Sequence, residues 1–351
     1  MRPFPYKLLI ILFFAITSTL VAIAKRNDVE KRKVIEKSYQ VNDNVLLDIN
    51  NQFGKVHINT WDKNQLDVTI EIIVQRKSES RAQDLLEKIN VDIDESPTSK
   101  RFVTELKGNF NNNSNGTFEI NYTVNMPKNN PLRLKNKFGN TYVGDLTSDV
   151  NLKISYGDIK AESFTGDSDI KLSFGDGEFK YIKTGELEIK YSDVEIEELG
   201  IVRLEQGFSD VEIDKAESID LTSKFGDLEI GTVVGIKGYV GYSGFEIDRL
   251  LGELVIEASY ASGFRISEVA KGFSKIDIRG KFGSYKLGFE DGVNATFDAK
   301  MKFSDMDYSG LDIDFSYKVK EDFKAEYRGK IGNGNGGEIR IVSSYGDVRF
   351  Y

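Results

Sequence analysis

The chain has 351 residues, no cysteine and one histidine, with 47 Lys and Arg against 56 Asp and Glu. The lack of cysteine excludes a disulfide framework and a lipid-modified cysteine, and one histidine cannot make a metal cluster or a triad without partners. A net charge of −9 with no basic stripe disfavours nucleic acid as a partner, while 40% hydrophobic and 11% aromatic residues are ample for a core.

Arg2 and Lys7 precede an apolar run from Leu8 to Ala24 that ends Ala22-Ile23-Ala24. This is the pattern of a secretory signal peptide over 1–24 with a small-residue cleavage site. Without Arg2 and Lys7 the mature chain carries a net −11. The alternative is an uncleaved anchor, because Lys25, Arg26, Lys31, Arg32 and Lys33 follow the run. Residues 25–37 are expected to form a charged, mobile tether. Abundant Asn, Lys and Ile without disulfides suggests an exported bacterial envelope protein, in the periplasm, at the outer membrane or on the cell surface.

Residues 38–130 read as a small α+β capping section. Val45 to Ile49 and Lys55 to Thr60 are predicted to pair as strands across Asn51-Gln52-Phe53-Gly54, with His57 facing outward as an ordinary surface residue. Leu66 to Val74 is a long apolar strand. A helix is predicted over Ser80 to Ile89, opened by a Ser80/Gln83 capping pattern and buried through Ala82, Leu85, Leu86 and Ile89. Arg101 to Leu106 and Phe118 to Val124 add strands around an exposed loop, Asn109 to Gly116. Asn112, Asn115, Asn121 and Asn294 sit in glycosylation sequons, meaningless in a bacterial host.

From Pro131 to about Leu311 one phrase returns; after Phe303 the pattern loosens, through Asp312 to Tyr327, before a last copy at Tyr345. An aromatic followed by Gly, Ser or Ala marks each copy, at Phe138, Tyr156, Phe174, Tyr191, Phe208, Phe225, Tyr242, Tyr260, Phe282 and Phe303, with steps of 17 or 18 residues that lengthen to 22 and 21; Tyr345 lies two steps further. Within a copy Leu187, Ile189 and Tyr191 share one parity, and Val194 and Ile196 resume the alternation shifted, so Ser192-Asp193 is a corner. One coil of about 17 residues loses roughly 25 kcal/mol of conformational freedom, and five or so apolar side chains return only about 1.5–3 kcal/mol each. Isolated coils should not fold, whereas stacked ones share a core. The fold expected for 131–351 is an all-β solenoid (β-helix) of 17–22-residue coils, and the dozen coils implied by the spacing make a rod on the order of 55 Å long. A transmembrane barrel needs longer strands; a sandwich of short strands fits the turn spacing but not the constant period.

The residue after each small corner residue is often acidic: Asp158, Asp176, Asp193, Asp210, Asp227, Asp305 and Asp347. Glu178, Glu195, Glu212, Glu229 and Glu246 follow two positions on. In-register coils would turn these into two ladders of carboxylates, which makes Asp176, Asp193, Asp210 and Asp227 candidate calcium ligands. The plainer reading is that Asp favours bends and Glu solvates an outer face, with salt, Lys190 and Lys224 screening the repulsion. Repetition supplies many equivalent carboxylates and no distinguished pair, as catalysis would need. The Gly-rich run Gly332 to Gly337 has no helix after it to make a phosphate loop and reads as a turn before the last coil. The chain is therefore expected to be non-enzymatic and without a cofactor.

Leu46-Leu47-Asp48-Ile49-Asn50-Asn51-Gln52-Phe53-Gly54-Lys55-Val56-His57-Ile58, the Tyr-Gly-Asp-Ile repeats and the closing Ser344-Tyr345-Gly346-Asp347-Val348 resemble the bacterial putative-adhesin family of β-strand repeats, exported proteins without an assigned reaction. The resemblance covers nearly all of the mature chain and carries no catalytic or binding residues. It implies an adhesin-like binding or scaffolding role, with an envelope protein or a surface glycan as partner. From the residues themselves, the terminal strand Val348 to Tyr351 is either an edge for self-association or, the commoner case for apolar residues at that place, the piece that finishes a core. A periplasmic signalling or stress-response component and a polysaccharide-active β-helix enzyme are the competing readings.

Overall fold

A computed structural model describes residues 28–108, 116–261 and 263–351; the predicted leader over 1–24 and most of the Asn109–Gly116 loop lie outside them. The described residues are 72% strand, with one helix and a single mixed sheet of 25 strands.

The chain begins with β1 (Val29–Gln40), β2 (Leu46–Gln52), β3 (Val56–Trp61) and β4 (Gln65–Arg76), then α1 (Glu79–Lys88), β5 (Ile89–Glu95), β6 (Ser99–Leu106), β7 (Gly116–Pro127), β8 (Leu132–Lys137) and β9 (Thr141–Val143). The regular part follows as β10 (Val150–Ser155), β11 (Ile159–Ser173), β12 (Gly177–Lys190), β13 (Asp193–Gly207), β14 (Asp210–Lys224), β15 (Leu228–Gly241), β16 (Gly244–Ser259) and β17 (Gly263–Val269). Each of these strands lies parallel to its successor, and equivalent repeat positions pair: Val194 with Val211, Val211 with Leu228, Leu228 with Phe245 and Phe245 with Phe264. The long strands run from one aromatic corner to the next, so the two short strands expected in each coil are continuous. In β13 the alternation slips at Glu197-Glu198 and again at Gly200-Ile201, so Val194 and Ile196, then Leu199, then Val202 and Leu204 all point inward. Stacking repeats these rows along one continuous core from Val41 to Phe350. A position on one coil therefore becomes a column on the molecule.

The core also crosses the boundary expected at residue 130. Leu47 of β2 pairs with Leu132 of β8, and Val56 of β3 with Thr141 of β9, so the first strand pair joins the same parallel stack of repeats. Beyond it the pairing turns antiparallel: β7 with β4, β4 with β1, and β6 with β5. The segment expected as a tether is, from Val29, the strand β1, pairing Val29 with Arg76 through to Gln40 with Gln65. Its alternating charges suit an outermost strand, because Lys31, Arg32 and Lys33 discourage further pairing. The helix starts one residue earlier than predicted, and Ser78 rather than Ser80 is its N-cap, with no side-chain capping bond; Ala82 and Leu85 are its buried residues.

The far end departs further from sequence order. Here lie β18 (Lys275–Lys281), β19 (Tyr285–Phe289), β20 (Ala295–Lys302), β21 (Met306–Asp307), β22 (Ile313–Glu321), β23 (Lys324–Ile331), β24 (Gly337–Ser344) and β25 (Val348–Phe350). The last repeat in sequence is not the last in space: β24 lies between β18 and β20, and β25 between β19 and β21. The terminal strand is thus paired on both sides and finishes the core, so the reading of Val348 to Tyr351 as a free edge for self-association does not hold. The chain runs out through β20 to β23, then returns to fill the gap, and the antiparallel strands β23 and β22 lie outermost on that side.

Removing 337–351 should therefore do more than shorten the stack. Ile339, Ile341, Val348 and Phe350 are fully buried between two neighbours, so truncation should cost several kcal/mol and leave 290–336 open to limited proteolysis while 132–260 stays protected.

Candidate functional site

Each repeat turns its corner at the aromatic residue, and the backbone there is left-handed. From Phe53 to Tyr345 the corner rings have φ between 53° and 62°. Glycine or asparagine is the usual occupant of that region, because a Cβ costs about 1–2 kcal/mol there. Here the side chain instead stands outward and stacks on the same position of the next coil. Phe53, Phe138, Tyr156, Phe174, Tyr191, Phe208, Phe225, Tyr242, Tyr260, Phe282, Tyr345 and Phe303 form one ladder, with centroids 4.7–5.1 Å apart and planes within 22° of parallel. Phe118 and Phe323 tilt against its two ends. Tyr345 sits between Phe282 and Phe303, as the inserted last coil requires. Apart from Phe53, the rings are 40–53% exposed. Such a length of exposed aromatic surface on one line is unusual for a soluble surface.

Two columns flank this ridge. On one side, at the residue before each ring, run Lys137, Ser155, Ser173, Lys190, Gly207, Lys224, Gly241, Ser259, Lys281, Ser344 and Lys302. Lys137 and Lys302 lean over Phe138 and Phe303, at 4.7 and 5.4 Å from the ring centroids. On the other side a recessed small residue comes first. At Gly226 an added Cβ would lie 1.9 Å from the Ser209 carbonyl oxygen, which shows how closely successive corners approach. Where serine stands instead, as at Ser192 and Ser209, its hydroxyl donates back to the carbonyl two residues earlier.

Beyond the small residue stand the predicted acids, brought together as columns. Asp176, Asp193, Asp210 and Asp227 line one shallow groove with Glu178, Glu195, Glu212 and Glu229. The glutamates pair in register from Glu178 to Glu246, between Lys160 at one end and Arg265 at the other. The aspartates also tie one coil to the next, since Oδ1 of Asp158 accepts the amide N–H of Asp176 at 3.1 Å, Asp210 that of Asp227 at 2.8 Å, and Asp227 that of Gly244 at 2.9 Å. Asn140 does the same for Asp158 with a neutral oxygen. Among the described residues no group of three or more His, Cys, Asp or Glu side chains is placed to hold a metal ion. His57 is exposed as expected, its ring stacked on Tyr142 at 4.5 Å and its Nε2 2.9 Å from Asn59 Oδ1.

The face before the ridge treats charge differently. One of its columns alternates sign, with Arg203 Nη1 2.9 Å from Glu186 Oε1 and Asp220 within 3.9 Å of both Arg203 and Lys237. In the next column Glu188 accepts from Lys190 and from Lys171, and these bonds hold its carboxyl down at about 2. Inside the first coils a polar chain is fully satisfied: Asn51 donates to the Ile120 carbonyl and to Asn136, and Thr104 donates to Asn51. Burial pushes the neighbouring Tyr122 phenol up to about 12.

The aspartate and glutamate columns were readable from spacing. The ridge was not: the rings served only as period markers, and the signal available was that a bulky residue held a corner position where Gly or Asn would be expected.

No protein-family model matches the chain, and no curated protein does. Among solved structures it is similar to a putative cell adhesion protein from Clostridium sporogenes at 13% identity, over 91% of this chain and 99% of that one, with a TM-score of 0.18. A putative adhesin from Parabacteroides merdae gives 11% identity over 91% and 96%, TM-score 0.30, and a putative lipid binding protein from Parabacteroides distasonis 12% over 91% and 96%, TM-score 0.30. At these values the likeness assigns neither family nor function.

Two measurements check the acidic columns. Asp210→Asn keeps an acceptor for the Asp227 amide and removes a like charge, so it should leave Tm unchanged or raise it, while Asp210→Ala should cost about 1 kcal/mol. Glu188 has a folded value depressed from 4.5 to about 2. Its contribution is therefore complete above 4.5 and is lost as pH falls towards 2. Glu188→Gln should flatten that part of the acid-stability profile relative to wild type, and superimposable profiles would refute the ion-pair assignment.

Proposed function

We infer that the protein is a β-solenoid rod acting as a non-enzymatic, adhesin-like binding or scaffolding protein at the bacterial cell envelope. The observation that carries this reading is the repeated exterior: parallel, in-register coils present an aromatic ring and then a small residue at every step, with columns of carboxylates beyond them from Asp158 to Glu246. A repeated surface suits an extended partner or a supporting role. Catalysis needs one residue set apart from its copies. The strongly shifted carboxylate, Glu188, is accounted for by its two lysines and does not mark such a residue. The apolar leader read from the sequence supports export, and the resemblance of the repeat phrases supports an adhesin-like role with an envelope protein or glycan as partner.

Protease treatment of intact cells, with an antibody to 150–260 and a periplasmic control protein, tests the surface form of this reading. Display on the surface predicts that the band is lost while the control survives. Protection until the envelope is opened would eliminate surface adhesion and leave a periplasmic scaffold.

A further inference from the structure

We propose that the aromatic ridge is a self-complementary interface at which two copies of this chain pair side by side, with their ladders running in the same direction.

Across the ridge a column with five lysines among serines and glycines comes first, then the rings, the recessed small residues and a column rich in aspartate. Two middle repeats show the full order basic, ring, small, acidic, as Lys190-Tyr191-Ser192-Asp193 and Lys224-Phe225-Gly226-Asp227. A two-fold axis parallel to the ladder reverses this order across the contact. Each ridge then lies over the recessed small residues of the other copy, and on both flanks Lys190 faces Asp193 and Lys224 faces Asp227 at the centre of the contact. A two-fold axis perpendicular to the ladder preserves the order instead, setting ring on ring, lysine on lysine and carboxylate on carboxylate. Charge and shape thus select the same arrangement, an isologous contact. Both ladders rise in steps of 4.7–5.1 Å, so the match repeats along the ridge.

The area suffices. A stable pair needs roughly 800 Å² from each partner, and a dozen rings, most of them about half exposed, carry on the order of 1,000 Å². The flanks carry lysines at 137, 190, 224, 281 and 302 and aspartates at 158, 176, 193, 210, 227, 305 and 347; of these Lys190 also serves Glu188, and Asp305 is held by Lys320 within the chain.

Sedimentation of the purified chain should show a concentration-dependent dimer. Tyr191→Asn, Phe208→Asn and Phe225→Asn together remove three central rings, and asparagine tolerates the left-handed corner. This variant should keep the wild-type circular dichroism and Tm within a few degrees, while its dimer dissociation constant rises about tenfold or more. Orientation has its own readout, because the chain has no native cysteine. Labels at Lys137→Cys or at Lys302→Cys should give strong energy transfer between like-labelled copies and weak transfer between the two sites. A charge exchange completes the test: Lys190→Glu with Lys224→Glu, and separately Asp193→Lys with Asp227→Lys, should each weaken homodimers, and mixing the two should restore pairing. A chain that remains monomeric at every concentration, a dimer indifferent to the three ring substitutions, or transfer strongest between positions 137 and 302 overturns the proposal.

Discussion

In-register parallel stacking is the constraint on which everything else in this molecule rests. A repeat of about 17 residues cannot fold alone, because the entropy it loses exceeds what its few apolar side chains return. Adjacency to an equivalent repeat supplies both the missing hydrogen bonds and the missing core. The Val194, Val211, Leu228, Phe245 and Phe264 column shows the result, an inward row filled at each level by β-branched, Leu or aromatic side chains. The same constraint acts on the outside. A residue that would be a minor surface feature on another fold becomes a line here, because its copies stand directly above and below it.

The corner rings show how local strain and stacking are linked. A left-handed backbone at a Phe or Tyr is unfavourable by about 1–2 kcal/mol, and an aromatic pair returns about 0.5–1.5 kcal/mol beyond its area. A ring inside the ladder has two such neighbours, so the stack can offset the strain. An isolated corner has none. Conformation at each corner is thus supported from outside its own coil, and the ends, where stacking would stop, carry tilted rings from Phe118 and Phe323.

Much of this was legible because periodicity reports directly on stacking. The coil length and the acidic columns follow from spacing alone, and the paired structure agrees in register; the parity shift read at Ser192-Asp193 falls instead at Tyr191, which turns outward while Ser192 is buried in phase with Val194. What escaped was of two kinds. Topology at the ends is invisible to a repeat count: Tyr345 is a regular multiple of steps beyond Phe303, yet it stacks between Phe303 and Phe282 because β24 pairs with β18 and β20 at once. Charge misled at the start, where Lys31, Arg32 and Lys33 suggested a solvated tether but decorate an outermost strand whose partner β4 is buried on one face. The ridge escaped for a different reason, since alternation describes which side chains point inward, and the ring falls at the corner where alternation breaks.

The two faces beside the ridge separate the cost of like charge from its use. On the face before the ridge, Arg203 among Glu186, Asp220 and its neighbours alternates signs, and exposed pairs of this kind contribute at most about 1 kcal/mol each. On the face beyond it, five glutamates run unbroken. In water, two unit charges at strand spacing repel by only about 1 kcal/mol, and physiological salt screens more distant members of the column. Each aspartate of the bonded pairs recovers part of that cost by accepting an amide hydrogen bond from the next coil, and charged acceptors make the stronger bonds. Asn140 shows that a neutral oxygen suffices for the bond itself. The amide bond therefore explains an Asx residue at the bend but not its charge, and the charge is the part of the column that faces outward, where lysines such as Lys190 and Lys224 of a second copy can meet it.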